Sequence, residues 1–313
     1  MDYGEGRHMT AISVETKKKN RVYESRGEPL FQAVLMIFFV LLSLTFVYPY
    51  WHVLVNSFTS PNYASASGFR LWPVDFSTDA YVHMFNTSYL WSGYANTLKV
   101  CAMGWALSLS GVVLCAYPLS KRDLPLRNAF TAFILVTMFI SGGMIPTYLL
   151  VNNTLKLRNT FLAIVLPHCI STSHVVIARN YFMSLPTELE EAATIDGANS
   201  WHVLWRVILP LSMPILATIS LWVIVSNWNA YFNCLLYITD PKKYVLQVVV
   251  RRIILTDSKE MTMAAEAISQ TTETDIVTLR AASIILATVP ILCVYPFLQK
   301  YFVKGVMVGS LKG

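Results

Sequence analysis

The sequence predicts an all-α membrane protein of about six transmembrane helices, and three observations carry that reading. Of its 313 residues, 55% are hydrophobic and only 13% are charged, whereas a soluble domain carries about a quarter charged residues. The apolar residues gather into runs longer than the roughly 20 that cross a bilayer core. The basic residues sit in short segments flanking those runs, so the net charge of +6 reads as membrane topology rather than as a nucleic-acid surface.

Residues 1–28 are polar, with Lys17, Lys18, Lys19, Arg21 and Arg26, and read as a cytoplasmic N-terminal tail. The apolar run from Leu30 to about Val55 exceeds the roughly 7 to 15 residues of a signal-peptide core and lacks a small-residue cleavage pattern, so it is the first span. It ends in Tyr48, Pro49, Tyr50 and Trp51, the aromatic character of a membrane interface. Residues 56–90, with Pro61, Pro73, Asp75 and Asp79, read as an external loop with room for a short interfacial helix. Five more spans are expected at about 92–118, 128–151, 160–182, 213–238 and 276–302. Gly142-Gly143 before Pro146 loosens or kinks the third of the six, and Pro167 and Pro296 bend the spans that hold them. The transmembrane domain is thus 29–303, followed by a cytoplasmic C-terminal tail at 304–313.

Six spans place both termini on one side. That side gathers the N-terminal tail, the link Lys121–Arg127, Arg179, Arg206, Lys300, Lys304 and Lys312, more than half of the 24 Lys and Arg residues. The positive-inside rule makes it the cytoplasm of a bacterial cytoplasmic membrane. The loop 239–275, with Lys242, Lys243, Arg251 and Arg252, falls outside despite its charge.

Between the fourth and fifth spans lies a polar island at about 185–212. Thr187 and Glu190 have the spacing of a capping box, and Glu188 and Glu191 add negative charge to the first helical turn. Gly197 can close that helix in the left-handed conformation, and Ser200 can cap a second helix running to Pro210. Within the island, Glu191-Ala192-Ala193 precedes Asp196-Gly197-Ala198, with Val207 and Leu209-Pro210 further on.

That spacing resembles the EAA loop of permease subunits in binding-protein-dependent ABC importers, specifically the maltose-permease-like carbohydrate branch. Val207 and Leu204 stand where isoleucine and phenylalanine are frequent in the family. The resemblance implies a type I importer permease fold whose EAA loop is a cytoplasmic coupling helix docking on an ATPase. Glu188, Glu191, Ala192, Ala193, Asp196, Gly197 and Ala198 would form the coupling contact. It also implies the partners: a second permease subunit, two ATPase subunits that bind ATP and Mg, and an extracytoplasmic binding protein that delivers an oligosaccharide. The end of the chain, including VMVGSLKG at 306–313, resembles permeases of polyuronide-type importers, which points to an acidic sugar. A similar tail in that family reaches toward the ATPase.

The residues themselves agree on the need for a motor. No Asp or Glu lies well inside a proposed span, and His168 and His174 are the only central titratable groups, so ion coupling lacks its usual carboxylate. No Gly-Lys pair occurs, which excludes a Walker-type phosphate loop, and the chain needs no cofactor of its own. No catalytic constellation is present, and the five cysteines lie singly with no metal-ligand spacing, so the reading is transport and not catalysis. An ATP-independent facilitator or channel is the alternative, and it leaves the EAA spacing to chance.

The fifth span carries Ser226-Asn227-Trp228-Asn229-Ala230-Tyr231-Phe232-Asn233. Amides at membrane depth are costly unless they face partners or water. On a continuous helix Asn227 and Tyr231 share one face, Asn229 and Asn233 another, with Trp228 between. Amides beside aromatic rings suit sugar hydroxyls and C–H faces, so Asn227, Trp228, Asn229, Tyr231 and Asn233 are candidate path residues. Interhelical hydrogen bonding is the other use of such groups.

Overall fold

The computed structural model describes residues 28–64, 70–255 and 276–310, with side chains for all but Glu28, Pro61, Tyr295 and 297–310. The expected N-terminal tail, apart from its last residue, and positions 311–313 lie outside the described residues, as do the side chains of the C-terminal segment. Residues up to Tyr50 and those from Trp51 onward form two compact units.

Helix α1 (Glu28–Ser57) holds the first span and all the described residues of the first unit. Within it, Ser43 and Thr45 donate to the carbonyls of Phe39 and Leu41, so the hydroxyls cost little in hydrocarbon. Beyond Tyr50, a short α2 (Pro61–Ala64) and α3 (Asp79–Asn86) occupy the expected external loop.

Helix α4 (Ser88–Ser120) is the pillar of the second unit. Its 33 residues extend about 50 Å, it packs against helices of the third, fourth and fifth spans, and its Tyr94 hydroxyl donates to the Leu286 carbonyl of the sixth at 2.6 Å. After α4 come α5 (Arg127–Phe139) and α6 (Met144–Leu149), then α7 (Phe161–Val165) and α8 (Thr172–Ser184). Helix α9 (Glu188–Ile195) follows, then α10 (Ser200–Val203) and α11 (Leu209–Leu211). The chain continues through α12 (Met213–Trp228), α13 (Tyr231–Tyr237), α14 (Leu246–Leu255) and α15 (Ile276–Ser310). Among the described residues, the extended pairing is a single bridge between Thr59 and Phe76.

Among the described residues three helices can cross a membrane alone, and the crossings number six when each of three bent helix pairs is taken as one span. α1, α4 and α15 are long and apolar enough to cross alone, while three bent pairs supply the rest. The third span breaks at Ser141–Gly143, where Gly143 takes a φ of +85° and the axis turns by 108°. The double glycine therefore does more than loosen the helix. Pro167 lies in a 3₁₀ turn where the fourth span bends by 56°. The fifth departs from expectation: an 80° bend separates Ser200–Leu211 from α12, and α12 ends at Trp228.

The largest core cluster joins Val112, Ala116, Val175, Phe182, Leu204, Ile208 and Ile219 at the α9 end of the bundle. A second joins Leu90, Trp228, Leu246 and Ala282, and a third joins Val100, Ile164, Cys234 and Val245. The carbonyl of Leu119, in the last turn of α4, accepts from Arg127 Nε at 3.1 Å and Arg179 Nε at 3.0 Å. Two cations thus satisfy the negative end of the central helix.

Candidate coupling surface and translocation path

The polar island folds into two short helices, with details the spacing did not give. Thr187 is already helical, at φ −67° and ψ −27°, and its side chain makes no cap bond. Its carbonyl instead accepts from the amides of Glu190 and Glu191 at 3.0 Å. The helix therefore starts one residue early, and Glu190 is released from the capping box to pair with Lys121 on the link after α4. The second cap is Asn199, not Ser200: Asn199 Oδ1 accepts from the His202 amide at 2.8 Å. Its amide side chain reaches the donor that the Ser200 hydroxyl was expected to take.

The turn itself is as anticipated. Gly197 has φ +83°, and Ala198 N–H donates to Ala193 C=O at 2.9 Å while Gly197 N–H donates to Thr194 C=O at 3.0 Å. This paired closure is a Schellman motif, and it requires the left-handed residue. Ala193 and Ala198 pack on the core below. Glu188, Glu191, Ala192, Asp196 and Gly197 are exposed. Around them stand Ile195, 86% exposed, with Leu189, Trp201 and Trp205. Exposed acidic groups beside exposed large apolar side chains are the composition of surfaces that meet other proteins.

The second region is a cavity of about 210 Å³, lined by Ser108, Ile164, Val165, His168, Cys169, Ser226, Asn227, Asn229, Ala230, Phe232 and Asn233. The helix break builds it. Asn229 leaves the helix at φ −93° and ψ 15° and donates through Nδ2 to Val225 C=O at 2.9 Å. The pairing of Asn229 with Asn233 on one continuous helical face is therefore corrected: the chain turns between them, and both still reach the cavity. Asn227 Nδ2 donates to Val223 C=O at 2.8 Å, which leaves its carbonyl oxygen for another partner.

Gly104 on α4 makes room for that amide. A Cβ there would fall 2.4 to 2.6 Å from the Asn227 side chain. Trp228, expected beside the amides, turns the other way. It is 6% exposed and donates through Nε1 to Ala287 C=O at 3.2 Å, inside the second core cluster. Tyr231 does not line the cavity but stands next to it, its ring edge-to-face with that of Phe232 at 6.4 Å. Sequence reasoning passed over Ser108, Phe232 and Arg251, whose guanidinium lies 5.3 Å from the centre of the Tyr231 ring. For Arg251 the signal was its charge, out of place on the expected outer side.

Six apolar crossings, an exposed acidic turn and a polar cavity between the broken fourth and fifth spans define a multi-span membrane transport subunit. The chain belongs to the family of binding-protein-dependent transport system inner membrane components, whose model matches residues 108–308. It is 38% identical over 284 residues to the polygalacturonan/rhamnogalacturonan transport system permease protein YtcP of Bacillus subtilis, covering 91% of this chain and 99% of that one. Protein LplC of the same organism is 36% identical over 268 residues, covering 85% and 90%. A chain from the crystal structure of a bacterial ABC transporter involved in the import of the acidic polysaccharide alginate superposes with a TM-score of 0.83. It is 32% identical and covers 89% of this chain and 98% of that one. The fold is that of an ABC importer permease, and such permeases are transport subunits and not themselves enzymes.

Proposed function

We propose that this chain is one of two permease subunits of an ATP-driven importer that takes an acidic oligosaccharide of the polyuronide type from an extracytoplasmic binding protein. The observation that carries the reading is the α9 turn. Its acids and its apolar rim are exposed, while Ala193 and Ala198 tie it to the core that joins α4, α8 and α12. A surface so anchored can pass a movement of the turn to the spans.

In this reading Glu188, Glu191, Ala192, Asp196 and Gly197 meet an ATPase subunit, with Ala193 and Ala198 seating the turn from behind. Both termini are cytoplasmic. Two ATPase subunits bind ATP and Mg, and their closure draws the two permeases' turns together and opens the path outward. Asn227, Asn229 and Asn233 offer sugar hydroxyls their donors and acceptors, Tyr231 supports the path at its edge, and Trp228 fixes α12 against α15 behind it. The acidic class of substrate is supported by the names of the relatives.

The test is to tag the protein, extract it in mild detergent and identify what accompanies it by mass spectrometry, then measure uptake after ATP is depleted. A second permease and an ATPase in a one-to-one-to-two assembly, with uptake lost on depletion, is the expected result. A chain that purifies alone and transports without ATP overturns it in favour of a facilitator.

A further inference from the structure

We propose that Arg251 and Tyr231 form a carboxylate-reading subsite beside the cavity, which takes the uronate group of the passing sugar; this rests on the acidic-substrate reading above. The two consecutive arginines of α14 have different surroundings. Arg252 lies 4.4 Å from the centre of the Tyr244 ring and donates to the Tyr244 hydroxyl at 3.0 Å, which fastens the helix to the link before it. Arg251 is exposed and lies over Tyr231. Among the described residues no carboxylate comes within ion-pair distance of it.

The position borders the cavity without lining it. Tyr231 is 41% exposed and meets Phe232, a lining residue of the cavity that also receives the amides of Asn229 and Asn233. α14 is inserted deeply for a loop helix: its first residue donates from Leu246 N to Thr97 Oγ1 at 2.8 Å, and Gly93 of α4 approaches Leu246.

Its chemistry selects the ligand. A guanidinium binds a carboxylate through two parallel donors, and stacking on a ring leaves those edge donors available. The tyrosine face and Phe232 offer C–H contact to the sugar ring, while the amides serve its hydroxyls. In sequence, the links 155–160 and 238–245 with α14 carry Lys156, Arg158, Lys242, Lys243, Arg251 and Arg252 against Asp240, while 256–275 carries Asp257, Glu260, Glu266, Glu273 and Asp275 with Lys259.

The experiment uses the whole transporter reconstituted in liposomes with its binding protein, and trigalacturonate as the probe. Arg251→Gln is expected to lower uptake on the order of tenfold, and Arg251→Lys, which keeps the charge but loses the planar two-donor fork, to fall between Arg251→Gln and wild type. Recovery of the complex and the binding-protein concentration that half-maximally stimulates ATP hydrolysis should not change. Undiminished trigalacturonate uptake by Arg251→Gln overturns the subsite and leaves the acidic-substrate reading standing. So does an equal loss in both variants with poor recovery of the complex, or a raised half-maximal binding-protein concentration, which assigns Arg251 to packing or to docking. A wild-type transporter that carries maltotriose and not trigalacturonate overturns the substrate reading itself, and the subsite with it.

Discussion

Single residues decide the two regions that matter, and glycine does so twice by different physics. At Gly197 nothing lies within 4 Å of where a Cβ would stand, so the demand is conformational. The φ of +83° costs an ordinary residue about 1–2 kcal/mol, and proline cannot adopt it and would also lose the N–H that closes on Thr194. Gly197→Pro should abolish uptake while the protein reaches the membrane at wild-type amounts, as uptake assays and immunoblots of membranes would show. At Gly104 the demand is space. Gly104→Ala pushes a methyl into the Asn227 amide and should destabilise the complex by about 1–3 kcal/mol, with loss of transport. If that contact is the cause, adding Asn227→Ala should recover thermal stability in a double-mutant cycle, and additive losses would refute it.

Elements show where the sequence could be read and where it could not. The apolar runs match the three unbroken candidate spans and the three bent pairs, because bilayer thickness imposes a length that composition reports directly. Gly142-Gly143 and Pro167 marked two breaks, since each removes helical preference or a backbone donor. The break at Asn229-Ala230 carried no such sign: Asn229 ends α12 by bonding to its own preceding turn, and asparagine does this without declaring it in the pattern. The π-helical turn at Leu204–Ile208 was equally silent. Trp228 was misplaced because amphipathic alternation cannot tell the path side of a span from its packed side when both are aromatic.

The capping box failed for a related reason. Glu190 had a second suitor on another element, and a one-dimensional spacing holds no record of Lys121. That pair joins the link Lys121–Arg127 to α9, and its side chains are 31% and 26% exposed, so it should add no more than about 1 kcal/mol to stability. Its value is registry of the turn. Lys121→Glu should therefore impair ATP-coupled uptake with little change in thermal unfolding, and the exchanged pair Lys121→Glu with Glu190→Lys should restore it. Failure of the exchange to restore uptake would mean that Glu190 is needed for its own negative charge.

Across the whole molecule, the links sort themselves by contact in the way that alternating crossings require. Asn159, after the third span, binds the link after the fifth. Its Oδ1 accepts from the amides of Thr239 at 3.3 Å and Asp240 at 3.2 Å, its amide donates to Tyr237 C=O at 3.0 Å, and its carbonyl accepts from Lys243 Nζ at 2.9 Å. The link after the second span meets the one after the fourth through Lys121 and Glu190. Odd-numbered links therefore touch odd, and even touch even. In a chain of six alternating crossings, links that share a face are the ones that can touch, and both contacts fit that arrangement. Since the five native cysteines are free, they can be replaced by serine and single cysteines introduced at Lys243 and Lys121. In intact cells whose outer permeability barrier has been opened, a membrane-impermeant maleimide should label Lys243→Cys and spare Lys121→Cys until the membrane is lysed. The reverse pattern would turn the molecule over and place the α9 turn outside. There no ATPase could reach it, and the coupling assignment would fall together with the topology.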